Sequence, residues 1–189
     1  MILASSSPYR RELLQRLRLP FEAWAPELDE SALPSEPPRQ TAVRLARLKA
    51  EAGGKRFTQA WIIGSDQVAD LDGRAIGKPG TLERAQKQLR DVSGHSVLFH
   101  TALCVWNARE ARRHERLVTT EVAFRRLTDA EITRYLELEP SLDVAGSAKS
   151  EGLGVSLLSR LGGDDPTALV GLPLIALSAI LRAEGFDVP

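Results

Sequence analysis

Two runs of alternating apolar residues constrain this chain most. Val97, Phe99, Thr101, Leu103 and Val105 recur at every second position, and Val118, Thr120, Val122 and Phe124 do the same. A period of two belongs to an extended strand, whose successive side chains point to opposite faces. Each run predicts a long strand with one buried face. The polar connection from Asn107 to Arg116 predicts that the two pair antiparallel, so the chain must be built around a sheet.

The rest of the sequence interleaves strands with helices. Ile2 to Ala4 reads as a short buried strand, Phe21 to Ala25 as a second, and Trp61-Ile62-Ile63 as a third. Asp72-Gly73 is a hairpin pair between Val68–Leu71 and Arg74–Ile76. Ser7 followed by Pro8 is a favoured helix start, and Leu13, Leu14 and Leu17 supply its apolar stripe. A second helix is predicted from Gln40 to about Ala52, with Val43, Ala46 and Ala50 on one side. Thr81 caps a third that runs to about Asp91. Thr128-Asp129-Ala130-Glu131 is a capping box opening a fourth, which carries Ile132, Tyr135 and Leu136 and stops before Pro140. Pro173 and Gly185 bracket the last. This order predicts an α/β protein with a mixed central sheet and flanking helices, organised as one domain over residues 1–189.

Charge balance narrows the function. Lys plus Arg number 25 and Asp plus Glu number 25, so no global field gathers nucleic acid or an anionic membrane. Any chemistry on an anion must rest on a local cluster of positive charge. The single cysteine, Cys104, lies in an apolar run and reads as core; it cannot form an intramolecular disulfide or a cysteine-rich zinc site. No signal peptide and no apolar run near the ~20 residues of a membrane span are apparent, which predicts a cytoplasmic protein. The sequence leaves the oligomeric state open, a homodimer included.

Several short segments carry chemistry. In Ala4-Ser5-Ser6-Ser7-Pro8-Tyr9-Arg10-Arg11 a strand runs into hydroxyls, a helix N-terminus and two arginines. Free N–H groups and the helix dipole favour an anion there, and Arg10 can grip phosphate oxygens. Gly64-Ser65-Asp66-Gln67 follows an apolar strand, so Asp66 sits where a general base or metal ligand would line a crevice. Lys78, between Gly77 and Pro79, can offer a point charge to phosphate. Glu30 could help to hold a divalent cation and Lys49 could reach a phosphate from its helix. The small-residue segment 145–152 brings Glu151 towards the same cleft. Each segment taken alone is equally an ordinary capped helix, turn aspartate, solvated face or loop. His95, His100 and His114 lack metal-ligand spacing and read as structural or exposed.

Taken together and in order, the segments resemble the Maf family of nucleoside triphosphate pyrophosphatases over essentially the whole chain. The matching stretches are ASSSPYRRELL, PELDE, LARLKA, IIGSDQV, IGKP, SGH, AGSAKSEGLG and DPTALVGLPL. The resemblance implies a two-lobed α/β fold around a cleft. It also implies hydrolysis of a nucleoside triphosphate to the monophosphate and diphosphate with a divalent cation such as Mg²⁺, Mn²⁺ or Co²⁺. The branch that acts on dTTP and UTP shows arginine, threonine and glutamine where this chain has Tyr9, Gln67 and Glu151. That combination is similar to the branch acting on 7-methyl-GTP, whose members carry Trp at the position of Tyr9.

The physics of a methylated base agrees with that branch. N7-methylation makes guanine cationic, Glu151 would attract the charge, and the Tyr9 ring would add roughly 0.5–2 kcal/mol of cation–π attraction. Gln67 offers a donor and an acceptor to the base or sugar. Ser5, Ser7, Arg10, Lys49 and Lys78 are the expected phosphate contacts, Asp66 the proton acceptor, and Glu30 with Asp66 the expected metal contacts. Two other readings stay open: a pyrophosphatase for dTTP, UTP or other nucleotides, and a nucleotide-binding regulator of cell division without turnover.

Overall fold

The computed structural model describes residues 1–189. The chain runs β1 (Ile2–Ala4), α1 (Pro8–Gln15), β2 (Glu22–Trp24), α2 (Pro38–Arg56), β3 (Trp61–Leu71) and β4 (Arg74–Ile76). It continues with α3 (Leu82–Val92), β5 (Ser96–Asn107), β6 (Arg112–Phe124), α4 (Asp129–Leu138), β7 (Leu158–Gly162) and α5 (Leu174–Ala183). Short 3-10 turns lie at Ala145–Ser147 and Leu153–Leu157. The strands form one sheet in the order β2-β1-β3-β5-β6-β7, with β4 alongside β3. β1 pairs parallel with β2 and β3, and every other pairing is antiparallel, so the sheet is mixed as expected.

The two alternating runs are the central antiparallel pair, in register from Ser96 opposite Ala123 to Asn107 opposite Arg112. Their connection is only residues 108–111, shorter than expected, because both strands continue through the polar ends of the segment. The expectation of one buried face holds for β6 and fails for β5. From Phe99 to Val105 every residue of β5 is buried. α2 covers one face, where Ala102 and Cys104 meet Ala42, Ala46 and Ala50. α5 covers the other, where Leu103 and Val105 meet Leu177 and Leu181. A third core gathers Ala69, Phe99 and Val122 under α3 and α4. Cys104 is therefore core, and burial pushes its thiol up to about 12.

The predicted caps are present. Ser7 accepts from Arg10 N, Thr81 from Arg84 N, and Thr128 and Glu131 form the reciprocal box. α2 outruns its predicted end at Ala52 and continues through Gly53 and Gly54 to Arg56. The helix lies so close to β3 there that a Cβ on Gly53 would meet Ile62 Cγ2 at 2.5 Å. The glycines cost helix propensity but permit the contact. β7 was not expected. It is an exposed edge strand, and its Leu-Ser-Arg-Leu-Gly sequence carries no buried alternation. Asp165 accepts from Thr167 N, Ile175 N and Ala176 N, so the Asp-Pro-Thr segment anchors the start of α5.

Gly64 marks the tightest contact between sheet and helix. A Cβ there would lie 2.3 Å from Ala46 O and 2.7 Å from Ala50 N, both backbone atoms of α2. Gly64→Ala should therefore destabilise the fold by about 2–3 kcal/mol, since neither backbone atom can move without unseating the helix. Gly77, with nothing within 4 Å of its notional Cβ, should accept the same change with little loss of stability. Urea unfolding of the two variants checks the contrast; equal stability losses would contradict it.

Candidate active site

The cleft begins as a gap along one edge of β3. β1 pairs with that strand at Ile62 and Ile63, and β4 pairs with it only from Ala69 to Leu71. Between them no strand covers the edge, and Asp66 and Gln67 lie in that interval with β5 on their other side. The chain leaving β1 and the chain around β4 form the two walls. The resulting cleft is about 650 Å³, within the range that takes a small-molecule ligand. All ten site residues read from the sequence line it: Ser5, Ser7, Tyr9, Arg10, Glu30, Lys49, Asp66, Gln67, Lys78 and Glu151.

One wall is the turn into α1. Ser5 Oγ accepts from Ser7 N at 3.1 Å and from Arg10 Nη1 at 3.5 Å, while Ser7 Oγ caps the helix. Both hydroxyls accept from the protein, which leaves their protons to donate to an anion. Arg10 Nε donates to Gly171 O at 2.7 Å, fixing the guanidinium plane. Burial lowers the Arg10 pKa from its ordinary value, and the charges of Asp66 and Glu30 draw it back. An arginine so placed stays cationic.

The floor is an ion-pair cluster. Lys49, only 5% exposed, directs its ammonium to Asp66 Oδ1 at 2.7 Å and to Glu30 Oε2 at 2.8 Å. The lysine expected to meet phosphate is thus held between the two carboxylates expected to meet metal. Asp66 is 6% exposed, and burial raises its pKa above the ordinary carboxylate value against the pull of Lys49 and Arg10. Its second oxygen, Oδ2, has no protein donor and is open to the cleft. Beside it Ser65 ties Ala102 O to Gly171 O, and Gln67 Nε2 reaches Thr101 Oγ1, Ala168 O and Leu169 O, each at 2.9 Å. The amide donors of Gln67 are therefore committed to the protein, and only its Oε1 is left for a ligand.

The opposite wall carries exposed Lys78, which has no ion-pair partner, and Glu151, whose carboxylate accepts only from Ser150. It also carries two residues to which the sequence reading assigns no role. Asp143 accepts from the Tyr9 hydroxyl at 2.8 Å and pairs with Lys149 at 3.3 Å, and the Lys149 ammonium lies 5.6 Å from the centre of the Tyr9 ring. One face of the aromatic ring expected to meet a cationic base thus already carries a cation. Asp143 has no periodic or motif signal; Lys149 lies within the AGSAKSEGLG stretch, where only Glu151 is assigned a role. The histidines take no part. His100 is buried between Asp70 and Thr119, His114 pairs with Glu184, and His95 is exposed.

Glu30 sits on an irregular segment held by a clamp that sequence reading also missed. Arg44 donates to both oxygens of Glu36 at 2.7 Å and to Ser31 O at 2.9 Å. The Arg44 guanidinium, with Leu33 N and Thr41 Oγ1, holds Glu36 down to about 2 from an ordinary 4.5. A depressed carboxylate contributes stability that is full above its unfolded pKa and is lost as pH falls through its folded one. Glu36→Gln should therefore flatten the fall in stability between about pH 4.5 and pH 2, read as urea midpoints against pH. A variant whose profile runs parallel to the parent over that window would contradict the clamp.

Hydroxyls and an arginine at a helix start, facing the unpaired Lys78 across a buried carboxylate, define an α/β protein shaped to receive a compact polyanion. The family model for Maf-like proteins matches residues 1–184, and the chain belongs to that family. Among its relatives, a protein of Cupriavidus pinatubonensis is 56% identical over 98% of this chain and 94% of its own length. One from Ralstonia nicotianae is 57% identical over 96% and 94%, and one from Xanthomonas axonopodis pv. citri is 56% identical over 100% and 98%. Each of the three carries the name 7-methyl-GTP pyrophosphatase. No helix of the chain is long and apolar enough to cross a membrane.

Proposed function

We propose that this chain is a nucleoside triphosphate pyrophosphatase that hydrolyses 7-methyl-GTP to 7-methyl-GMP and diphosphate. One observation carries the chemistry. Asp66 is buried, more basic than an ordinary carboxylate, fixed through Oδ1 by Lys49, and open to the cleft through Oδ2. That is the arrangement of a base that takes a proton from an attacking water. Ser5, Ser7 and Arg10 on one wall and Lys78 on the other supply donors for a triphosphate of about four negative charges, and Lys49 holds positive charge between them. The bond broken lies between the α- and β-phosphoryl groups.

The donor set also fits a divalent cation. No cluster of three or more His, Cys, Asp or Glu side chains is assembled in the chain, so the protein offers a partial shell. Glu30 and Asp66 are two adjacent carboxylates with hydroxyls nearby. Mg²⁺-like ions take one or two carboxylates and complete their shell with water and substrate phosphates. Such an ion would neutralise phosphate charge and acidify the attacking water. Glu30 and Asp66 would hold it.

Base recognition rests on Glu151, Tyr9 and Gln67. Glu151 is an unpaired carboxylate at the cleft rim, suited to a cationic purine and to its N1–H and N2–H. Gln67 contributes its Oε1 alone. The names of the relatives and these three side chains together support the methylated base over a pyrimidine.

Asp66→Asn should lower kcat on 7-methyl-GTP by about 10²–10⁴-fold while the variant stays folded. Release of diphosphate from 7-methyl-GTP, GTP, dTTP, UTP and CTP with Mg²⁺, Mn²⁺ or Co²⁺ is the measurement. Orthophosphate and a nucleoside diphosphate as products would overturn the cleavage site. Tight binding without turnover would favour a regulator instead. Glu151→Gln should narrow the preference for 7-methyl-GTP over GTP by about tenfold. An unchanged ratio would remove Glu151 from base recognition.

A further inference from the structure

We infer that Tyr9 and Asp143 form a cation seat at the base end of the cleft, and that the Lys149 ammonium occupies it until a cationic purine takes its place. The inference rests on the substrate reading above and adds Asp143 and Lys149 as specificity-determining residues. An aromatic face beside a carboxylate is a site for an organic cation. Here both parts are oriented: the Tyr9 hydroxyl donates to Asp143 Oδ2 at 2.8 Å, which fixes the ring against the acid. The seat holds a positive charge of the protein's own, 3.3 Å from Asp143 Oδ1 and 5.6 Å from the ring centre.

That charge is built to leave. Its contact with Asp143 is longer than the 2.7 and 2.8 Å contacts of Lys49 on the cleft floor. The Asp143 side chain is 55% exposed, and pairs open to water to this degree are weak. The backbone of Lys149, by contrast, is fixed. Its N–H donates to the Tyr135 hydroxyl, its carbonyl accepts from Gly152 N, and Gly154 packs against it so closely that a Cβ would meet Lys149 N at 2.6 Å. Only the flexible side chain has to swing. A base that carries its own positive charge restores the partner that Asp143 loses. A neutral guanine displaces the ammonium and restores nothing. The exchange therefore favours the methylated base, and the displaced lysine, still nearby, limits how tightly that base is held.

The test is kcat/KM for 7-methyl-GTP and for GTP in the wild type, Lys149→Met, Lys149→Arg and Asp143→Asn. Lys149→Met should raise the 7-methyl-GTP to GTP ratio about three- to tenfold, through KM, because base contacts are made equally in ground and transition states. Lys149→Arg should keep the wild-type ratio, and Asp143→Asn should lower it by a similar factor. A ratio unmoved by Lys149→Met, or a fall in kcat on both nucleotides that marks Lys149 as a phosphate contact, overturns the seat. A wild-type enzyme indifferent to the methyl group overturns the substrate reading itself, so the two failures are distinguishable.

Discussion

The approach of α2 to β3 at Gly64 sets the distances on which the site depends. Backbone of the helix lies where a side chain of the strand would otherwise be. This brings Lys49, one turn past Leu45 and Ala46, directly over Asp66 two residues along the strand, and the contact is 2.7 Å in a buried setting. A helix held further out by a methyl group would still be a helix. It would carry its ammonium away from the carboxylate, and the carboxylate would be left buried and unpaired, at a cost of several kcal/mol. Packing and electrostatics at this point are thus one constraint: the glycine permits the depth, and the depth permits the ion pair.

The charge arrangement around that pair explains why a chain with no net charge can address a polyanion. Lys49 is shared by two acids, so the floor cluster is net negative and would repel phosphate if it stood alone. Arg10, close enough to feel both carboxylates, and Lys78 on the far wall bring this group from one net negative charge to one net positive, although the lining as a whole, with Glu151 and the Asp143–Lys149 pair, holds four cations and four carboxylates. The same arrangement leaves Asp66 less acidic than its two cationic neighbours would make it, because burial outweighs them. A base more acidic than this would hold its charge but take a proton poorly.

Local rules made much of this visible in the sequence. Alternation located β5 and β6, caps located the helix starts, and short motifs located ten residues that the fold brings to one cleft. What stayed hidden depends on distant partners. The second buried face of β5 follows from α2 and α5 lying on opposite sides; the apolar run marks Cys104 as core, but Ala102 is small and His100 polar, so that face shows no apolar period. The shared lysine joins residues 19 and 17 positions apart. Asp143 pairs with a tyrosine 134 positions earlier, and polar residues in an irregular segment carry no period from which such a contact can be read. The commitment of the Gln67 amide to the carbonyls of Ala168 and Leu169 has the same origin.

The two ends of the cleft are built differently, and the difference follows from what each must do. The proposed phosphate end stands on β3, the first turn of α1 and the middle of α2, where ladder bonds, a cap and close packing fix every donor except Lys78, which is exposed on the far wall. The geometry of a phosphoryl group does not vary between nucleotides, and a rigid site suits it. The proposed base end stands mostly on irregular segments around Asp143, Lys149 and Glu151, joined to the rigid elements by Tyr9 on α1 and Gln67 on β3. There a change of a single side chain alters charge without disturbing the strand or the helix beneath. On the proposed assignment, a change at Asp143, Lys149 or Glu151 can alter the choice of base without touching the strand and helix that carry the chemistry, whereas Tyr9 and Gln67, next in sequence to Arg10 and Asp66, tie base recognition to the rigid end.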